Sequence, residues 1–458
     1  MIMRTFFYPL IASSFLLLGC ESLINPFGID TEPKLPGERI VVLSKTSRLS
    51  IDPTAQSSPF TPPAAQSVSV WPVQHGNSQH ILHHLNWNGS WSKRWSNNIG
   101  TSLSSEHPLQ SPPIIAADQV FVLDDDYNVT AASILDGKEI WQFNNTTDIE
   151  YSGAYGGGLA LAEGMLIVTT GYGDVFALDP FSGDEKWRVS LRIPIRGAAT
   201  IHQKQAIVQT LDSQAFAYNL SDGAELWYHA GINEITSVIN QTTPASDGKR
   251  VFLAYNSGEI AAIDPNTGEP LWLDALSSVK QSSELAQINT IGTSPVVIND
   301  ALLVSGYGGQ TVLFNASTGQ RIWDQKIGTL HLPWVSGNVI FMLANDGWLY
   351  ALDLFSGSVR WFIQPDELLH LHQNPPDPTA ETGIIVAKDF ETQRWSAPIL
   401  VDGHLLLLGQ NGAMLKIHPH DGTLSNVVEL DSGSRLPPQI VGDAALILEE
   451  SGAVSVYN

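Results

Sequence analysis

Apolar positions along most of this chain fall in short alternating runs, each broken by a tight polar turn such as "GYGD" at 171, "LDSQ" at 211, "NSGE" at 256, "NDG" at 345 and "ESG" at 450. Period-two alternation on both sides of a Gly, Asn or Asp turn predicts a β-hairpin, because these residues accept the positive φ that tight hairpins need. No stretch shows helical periodicity, which argues against an α/β enzyme.

After each hairpin comes one recurring phrase. It reads "VTAASILDGKEIW", "VFALDPFSGDEKW", "AFAYNLSDGAELW", "IAAIDPNTGEPLW", "TVLFNASTGQRIW" and "LYALDLFSGSVRW", ending at Trp141, Trp187, Trp227, Trp272, Trp323 and Trp361. A polar residue stands four before a glycine and the tryptophan four after it, without a slip. With an earlier strand such as "SPPIIAAD" or "GGGLALAEG", each unit has four antiparallel strands. Successive tryptophans lie 38 to 51 residues apart, the spacing of a β-propeller. A large aromatic at one fixed site per unit is expected to pack between neighbouring blades, its indole N–H finding a backbone acceptor.

A seventh copy keeps Gly422 but carries Asn426 in place of the tryptophan, and an eighth, "VSVYN", stops at Asn458. Eight units thus begin and only seven last strands follow. The missing strand is predicted upstream in "GSWSKRWSNNIG", where Trp95 precedes Trp141 by 46 residues. The expected fold is all-β: an eight-bladed propeller over 68–458, closed by the strand at Trp95 pairing with the carboxy-terminal strands. The surplus "PDELLHLHQNPPDPTAETG" at 365–383 is too rich in proline for a strand interior and is expected to be a loop on a ring face.

Composition narrows the function. Of 458 residues, 15% are charged and the net charge is -23, so no basic excess exists to neutralise a phosphate backbone and no nucleic acid partner is expected. The chain begins with a basic residue, Arg4, an apolar run from Thr5 to Leu18, then Gly19 and Cys20, the single cysteine. That run is too short to span a bilayer and is expected to be an export signal, 1–19. Residues 20–67, rich in Pro, Ser and Thr, are expected to form a tether, with one short apolar run, "RIVVL" at 39–43. His80, His83 and His84 in "HILHH" have no partner ligands nearby in sequence and are expected to be surface histidines rather than a metal site.

"LLGC", Leu17 to Cys20, resembles the bacterial lipobox, which implies cleavage before Cys20 and acylation of that residue, by palmitate among other chains. The following Glu21, not Asp, implies the outer membrane under the enteric sorting rule. The Ala-x-Asp-x-x-x-Gly-x-x-x-Trp phrase resembles the tryptophan-docking repeat of PQQ-like propellers over 68–458. Two groups carry that repeat, the quinoprotein dehydrogenases and the BamB family of outer-membrane lipoproteins in the β-barrel assembly machinery. The familiar quinoprotein alcohol dehydrogenases use an adjacent cysteine pair and calcium ligands beside a catalytic aspartate. Neither constellation is found in this sequence, so the expectation is a non-catalytic protein with no cofactor.

The segments "VWPVQHGNSQHILHHL" (70–85) and "KLPGERIVVL" (34–43) resemble BamB-like proteins of alphaproteobacteria. In that family a loop after a Trp-bearing strand docks on the periplasmic domain of the barrel-folding protein BamA. The matching "RIPIRGAAT" implies Ile193, Ile195 and Arg196, with Gly197, as the contact, although these residues also fit the start of a buried strand. The acidic pair of the enterobacterial proteins, ahead of Thr242, Thr243 and Pro244, appears here as Ile239 and Gln241, a departure that bears on the contact chemistry. The resemblance implies an outer-membrane, periplasm-facing scaffold that assists insertion of β-barrel proteins, with BamA, other assembly subunits and nascent barrels as partners. A quinone-dependent dehydrogenase and a propeller that binds periplasmic polysaccharide or protein stand as alternatives.

Overall fold

The structure is a computed structural model that describes residues 49–99, 111–146, 155–195, 197–234, 242–276, 290–375 and 393–458. The leader, Cys20, the 39–43 run, Arg196, Ile239 and Gln241 fall outside the described residues.

Each repeat folds as a four-stranded antiparallel sheet, and eight such sheets make the ring. Blades one to seven span 114–143, 157–190, 200–230, 245–275, 296–325, 334–363 and 399–429. Blade eight combines the last three strands, 439–457, with Lys93–Asn98, which pairs antiparallel to Ala453–Tyr457 and sets Trp95 opposite Val456. The ring is therefore closed by the two ends of the repeat region, as the count of strands predicted. The first strand of each blade is short and buried at the sheet's inner edge. The fourth is mostly exposed apart from its tryptophan, as in Glu185–Ser190 with Trp187.

The recurring phrase has one mechanical role, repeated seven times. Trp95, Trp141, Trp187, Trp227, Trp272, Trp323 and Trp361 each donate an indole N–H to a carbonyl of the next blade, those of Ile134, Pro180, Leu220, Pro265, Ala316, Leu354 and Pro419. The ring lies over that blade's turn glycine. A Cβ on Gly223, at φ +72°, would sit 2.6 Å from the Trp187 ring, so only glycine serves there. The polar residue four positions earlier caps the same turn: Asp179 accepts from Phe181 N through Oδ1 and from Gly183 N through its carbonyl. The seam between blades seven and eight has exposed Asn426 instead. There Trp87, whose N–H is bound by Asp402, meets Trp91 edge-on at 4.3 Å, and Trp91 packs toward Tyr457.

Strand directions alternate within a blade. First-to-second and third-to-fourth turns therefore share one face, here the upper, while second-to-third turns and blade connections share the lower.

Two expectations are corrected. Residues 49–67 are no tether: α1 (Pro53–Ser57), capped by Asp52, and the chain after it cross the upper face of blade six. Ile51 bridges Val359, Asn338 binds Pro59 and Thr61, and Phe60 packs on Phe341. The buried Arg360 guanidinium holds this arm by donating to the carbonyls of Ala55, Ser58 and Pro59. The 365–383 insertion opens as a helix, α2 (Pro365–Gln373), not a loop. Proline fits the first helical turn, and Asp366 and Glu367 at its N-terminus and His370 and His372 at its C-terminus suit the helix dipole. Leu369 and the Trp395 indole, which donates to Asp366, tie the helix to the ring.

Residues 66–86, which carry no repeat phrase, form a belt inside the ring. It meets the inner strand or its flanking turn in every blade in order: Val68 with Gly442 of blade eight, Trp71 with Ile115, Pro72 with Leu161, Ser78 with Ile201 and Ser246, Gln79 with Val297, His83 with Trp334 and Leu85 with Leu400. Gln66 then pairs with His84 and Asn86, so the belt closes on itself. His80 and His83, at φ +62° and +54°, supply two of its bends.

Candidate functional site

The loop that the sequence nominated connects the last strand of blade two (Glu185–Ser190) to the first of blade three (Thr200–His202), on the lower face. Its base is fixed. Leu191 N donates to Gly173 O, Ile195 N to Thr170 O, and Leu211 N to Pro194 O, and Ile195 bridges Thr210. Ile195 is fully buried among Val73, Ala160, Trp187 and Val208. It wedges blades two and three together, so the expectation that it is an exposed contact is corrected: its alternation in the loop leads into the core.

Gly197 is also structural. It is buried, and a Cβ there would meet Thr242 O at 2.3 Å. Its carbonyl accepts from Thr169 Oγ1 at 2.9 Å. The tip differs: Arg192, at φ +57°, and Pro194 are exposed and Ile193 is half-buried. The structure thus separates the nominated residues into a rigid base, Ile195 and Gly197, and a presented tip around Ile193. Arg192 and Pro194 belong to that tip although the sequence reading passed over them. The signal available was the alternation itself, which sets Arg192 and Pro194 out of phase with Ile195.

Thr242, Thr243 and Pro244 face the other way, into the ring. Pro244 O accepts from Thr200 Oγ1, and Thr243 N donates to Ser294 Oγ at 2.9 Å. Thr243 Oγ1 lies 3.3 Å from His80 Nε2, Ser294 Oγ lies 3.0 Å from His75 Nε2, and His80 Nδ1 reaches Pro295 O at 2.7 Å. The two imidazoles meet edge-on at 4.7 Å. Burial pushes the His80 pKa down to about 4 and, with the neighbouring His80, holds His75 well below its ordinary value. Both rings are therefore neutral at pH 7 and act as hydrogen-bonding pins between belt and blades.

His84 is spent similarly, with Nδ1 3.0 Å from Pro63 O and Nε2 accepting from Gly403 N. The residues of "HILHH" are thus spread over blades five to seven rather than gathered, and the expectation that they lie at the surface is corrected, since their contacts to the blades bury His80 and half-bury His83 and His84. Among the described residues no group of three His, Cys, Asp or Glu side chains is placed to hold a metal ion.

The family described as "Outer membrane protein assembly factor BamB" matches this chain over residues 141–362. The outer membrane protein assembly factor BamB of Yersinia pestis is 22% identical over 372 residues, 80% of this chain and 88% of that protein. The crystal structure of BamB from Moraxella catarrhalis superposes with a TM-score of 0.63 at 20% identity, covering 80% of this chain and all of that one. A europium-containing methanol dehydrogenase superposes nearly as well, TM-score 0.61 at 14% identity over 82% of this chain and 89% of that one, which marks the propeller as shared architecture. Repeat phrase, strand count and ring closure agree with these comparisons: over residues 141–362 in sequence and across the ring in fold, the chain is similar to the outer membrane protein assembly factor BamB.

Proposed function

We propose that this protein is a non-catalytic scaffold of outer-membrane protein assembly, held to the outer membrane on its periplasmic side by lipid on Cys20. Its docking surface for the periplasmic domain of BamA is the lower-face loop at Ile193 and Arg196, widened by Arg192 and Pro194. The observation that carries this reading is the division of labour in 191–199. The buried Ile195 and Gly197 fix the base on two blades, so an apolar and cationic tip is held out without ordering cost on binding. The belt agrees with a scaffold, since it fills the inner mouth of the ring with the chain's own residues and makes the eight blades one rigid support.

The test is copurification of BamA from gently solubilised membranes. Wild type retains BamA and Arg196→Glu loses it at an unchanged unfolding temperature. Failure of the wild-type protein to retain BamA overturns the proposal.

A further inference from the structure

One upper-face site of the propeller, over blade six on the side of its seam with blade seven, is occupied by the chain itself, and its counterpart is open. The arm residues 58–63, "SPFTPP", lie there. Phe60 packs edge-on against Phe341 with ring centroids 5.7 Å apart. Asn338 binds on both sides of it, donating to Pro59 O at 3.1 Å and accepting from Thr61 N at 3.3 Å, and Pro63 O lies 3.0 Å from His84.

The repeat superimposes this seam on that between blades one and two. Phe341 pairs with Trp334 as Phe121 pairs with Ile114, which makes Phe121 the counterpart of Phe341 and Asp118 that of Asn338. Pro180 receives the Trp141 indole as Pro419 receives that of Trp361. Arg360, which clamps the arm, corresponds to Ile140, since each precedes its docking tryptophan.

No described part of the chain occupies the second seam. A groove opens there instead, walled by Val70 and Pro72 of the belt, Phe121 of blade one, and Leu161, Ala162 and Phe181 of blade two. Its surroundings are unusually apolar: Phe181 is 69% exposed, and Ile140 and Val70 are nearly half exposed. Charge enters at the rim through two exposed acids, Asp118 and Glu163.

We propose that the groove between blades one and two binds an extended peptide of a partner protein, with a phenylalanine flanked by proline and a lysine or arginine beside it. The intramolecular interface at blades six and seven shows how a Pro-flanked phenylalanine fits this geometry. The backbone N–H that Asn338 binds has a matching acceptor in Asp118. Asp118 cannot donate to the carbonyl that Asn338 also binds, and together with Glu163 it favours a cationic side chain there. Extended, proline-containing segments lose little entropy on docking, as in other aromatic-lined grooves. The groove lies on the face opposite the 191–199 loop, so both surfaces can be engaged at once.

The experiment uses the full chain and a fluorescein-labelled peptide, Lys-Ser-Pro-Phe-Thr-Pro-Pro, in fluorescence polarisation. Saturable binding is expected, weakened about tenfold or more when the peptide phenylalanine becomes alanine or when Ala162→Arg fills the groove at an unchanged unfolding temperature. Phe181→Ser, at an exposed position, gives the same loss should Ala162→Arg fail to fold. No saturation by about 1 mM, or binding indifferent to both variants, overturns the proposal. So does binding seen only after removal of residues 1–48, which would make the occupant the chain's own start. Binding only in Phe60→Ala, the mark of the six–seven seam, and self-association abolished by Phe181→Ser, the mark of a second copy, also overturn it.

Discussion

Trp95 and Gly137 are 42 positions apart in sequence, yet a Cβ placed on Gly137 would lie 2.7 Å from the Trp95 ring, which sends its indole N–H to Ile134 O at 2.9 Å. This contact locks blade eight onto blade one, the seam at which the ring is closed. Gly137, at φ +69°, has no room for a methyl group and a backbone that alanine disfavours. Gly137→Ala is expected to destabilise the fold by about 2–4 kcal/mol, combining left-handed strain with overpacking. Denaturant unfolding measures this, and a loss under about 1 kcal/mol would mean that the turn relaxes freely.

Lys93–Asn98 and Ala453–Tyr457 are neighbouring strands of one four-stranded sheet, so removing either opens the same blade. Trp95→Glu and deletion of 453–458 are expected to lower the unfolding temperature together and to give the same enhanced proteolysis of blade eight. Combining them should add little further loss, since both break one closure. An additive double variant would show that the two strands hold separate parts of the molecule.

Burial holds His80 down to about 4 against an ordinary 6.5, and no carboxylate is bonded to it to repay a charge. Between those values the unfolded chain binds a proton that the folded chain refuses, so stability is complete above pH 6.5 and falls as pH drops through the window. The His80 contribution reaches about 3 kcal/mol at the acid end. His75 and His331, also held low by burial, add in the same direction. Unfolding free energies between pH 7.5 and 5 should fall steeply for wild type and less steeply for His80→Gln. Equal slopes would place the proton uptake elsewhere.

Arg360 is buried beneath the arm it clamps, and burial lowers its pKa. Arg360→Met removes the donors to three carbonyls and is expected to speed proteolytic cleavage within 49–63 about tenfold while the blades stay resistant. Unchanged cleavage would mean that Phe60 and the Asn338 bonds suffice to seat the arm.

The blades were legible because their information is local and repeated. An Asp179 to Gly183 to Trp187 spacing shows the turn, its cap and the docking aromatic within nine residues, and six recurrences make the ring inescapable. The last blade was legible by subtraction, since Asn458 ends a phrase that Trp95 completes. The belt was hidden for the opposite reason. Trp71, Ser78 and Leu85 are hydrogen-bonded to different distant blades, Ser78 to two of them, so nothing in their own neighbourhood repeats. The arm and α2 were hidden by proline, which removes strand and helix signals alike. At the 191–199 loop the sequence did not show which residues face outward. Ile193 and Ile195 share one alternation, and only contacts distant in sequence, from Val73 of the belt and from Ala160 and Val208 of the flanking blades, bury Ile195.

The self-closing belt also sets an order of events. Ser90 and Asn458, 368 positions apart, are hydrogen-bonded, and Val68 is bonded to Gly442. The belt precedes every blade in sequence, yet its final seat is complete only when the last blade is present. Blades can form from local hairpins, but the belt and the closing strand need partners from both ends of the chain. Their docking is the slow, late step that converts a row of finished sheets into a single cooperative ring.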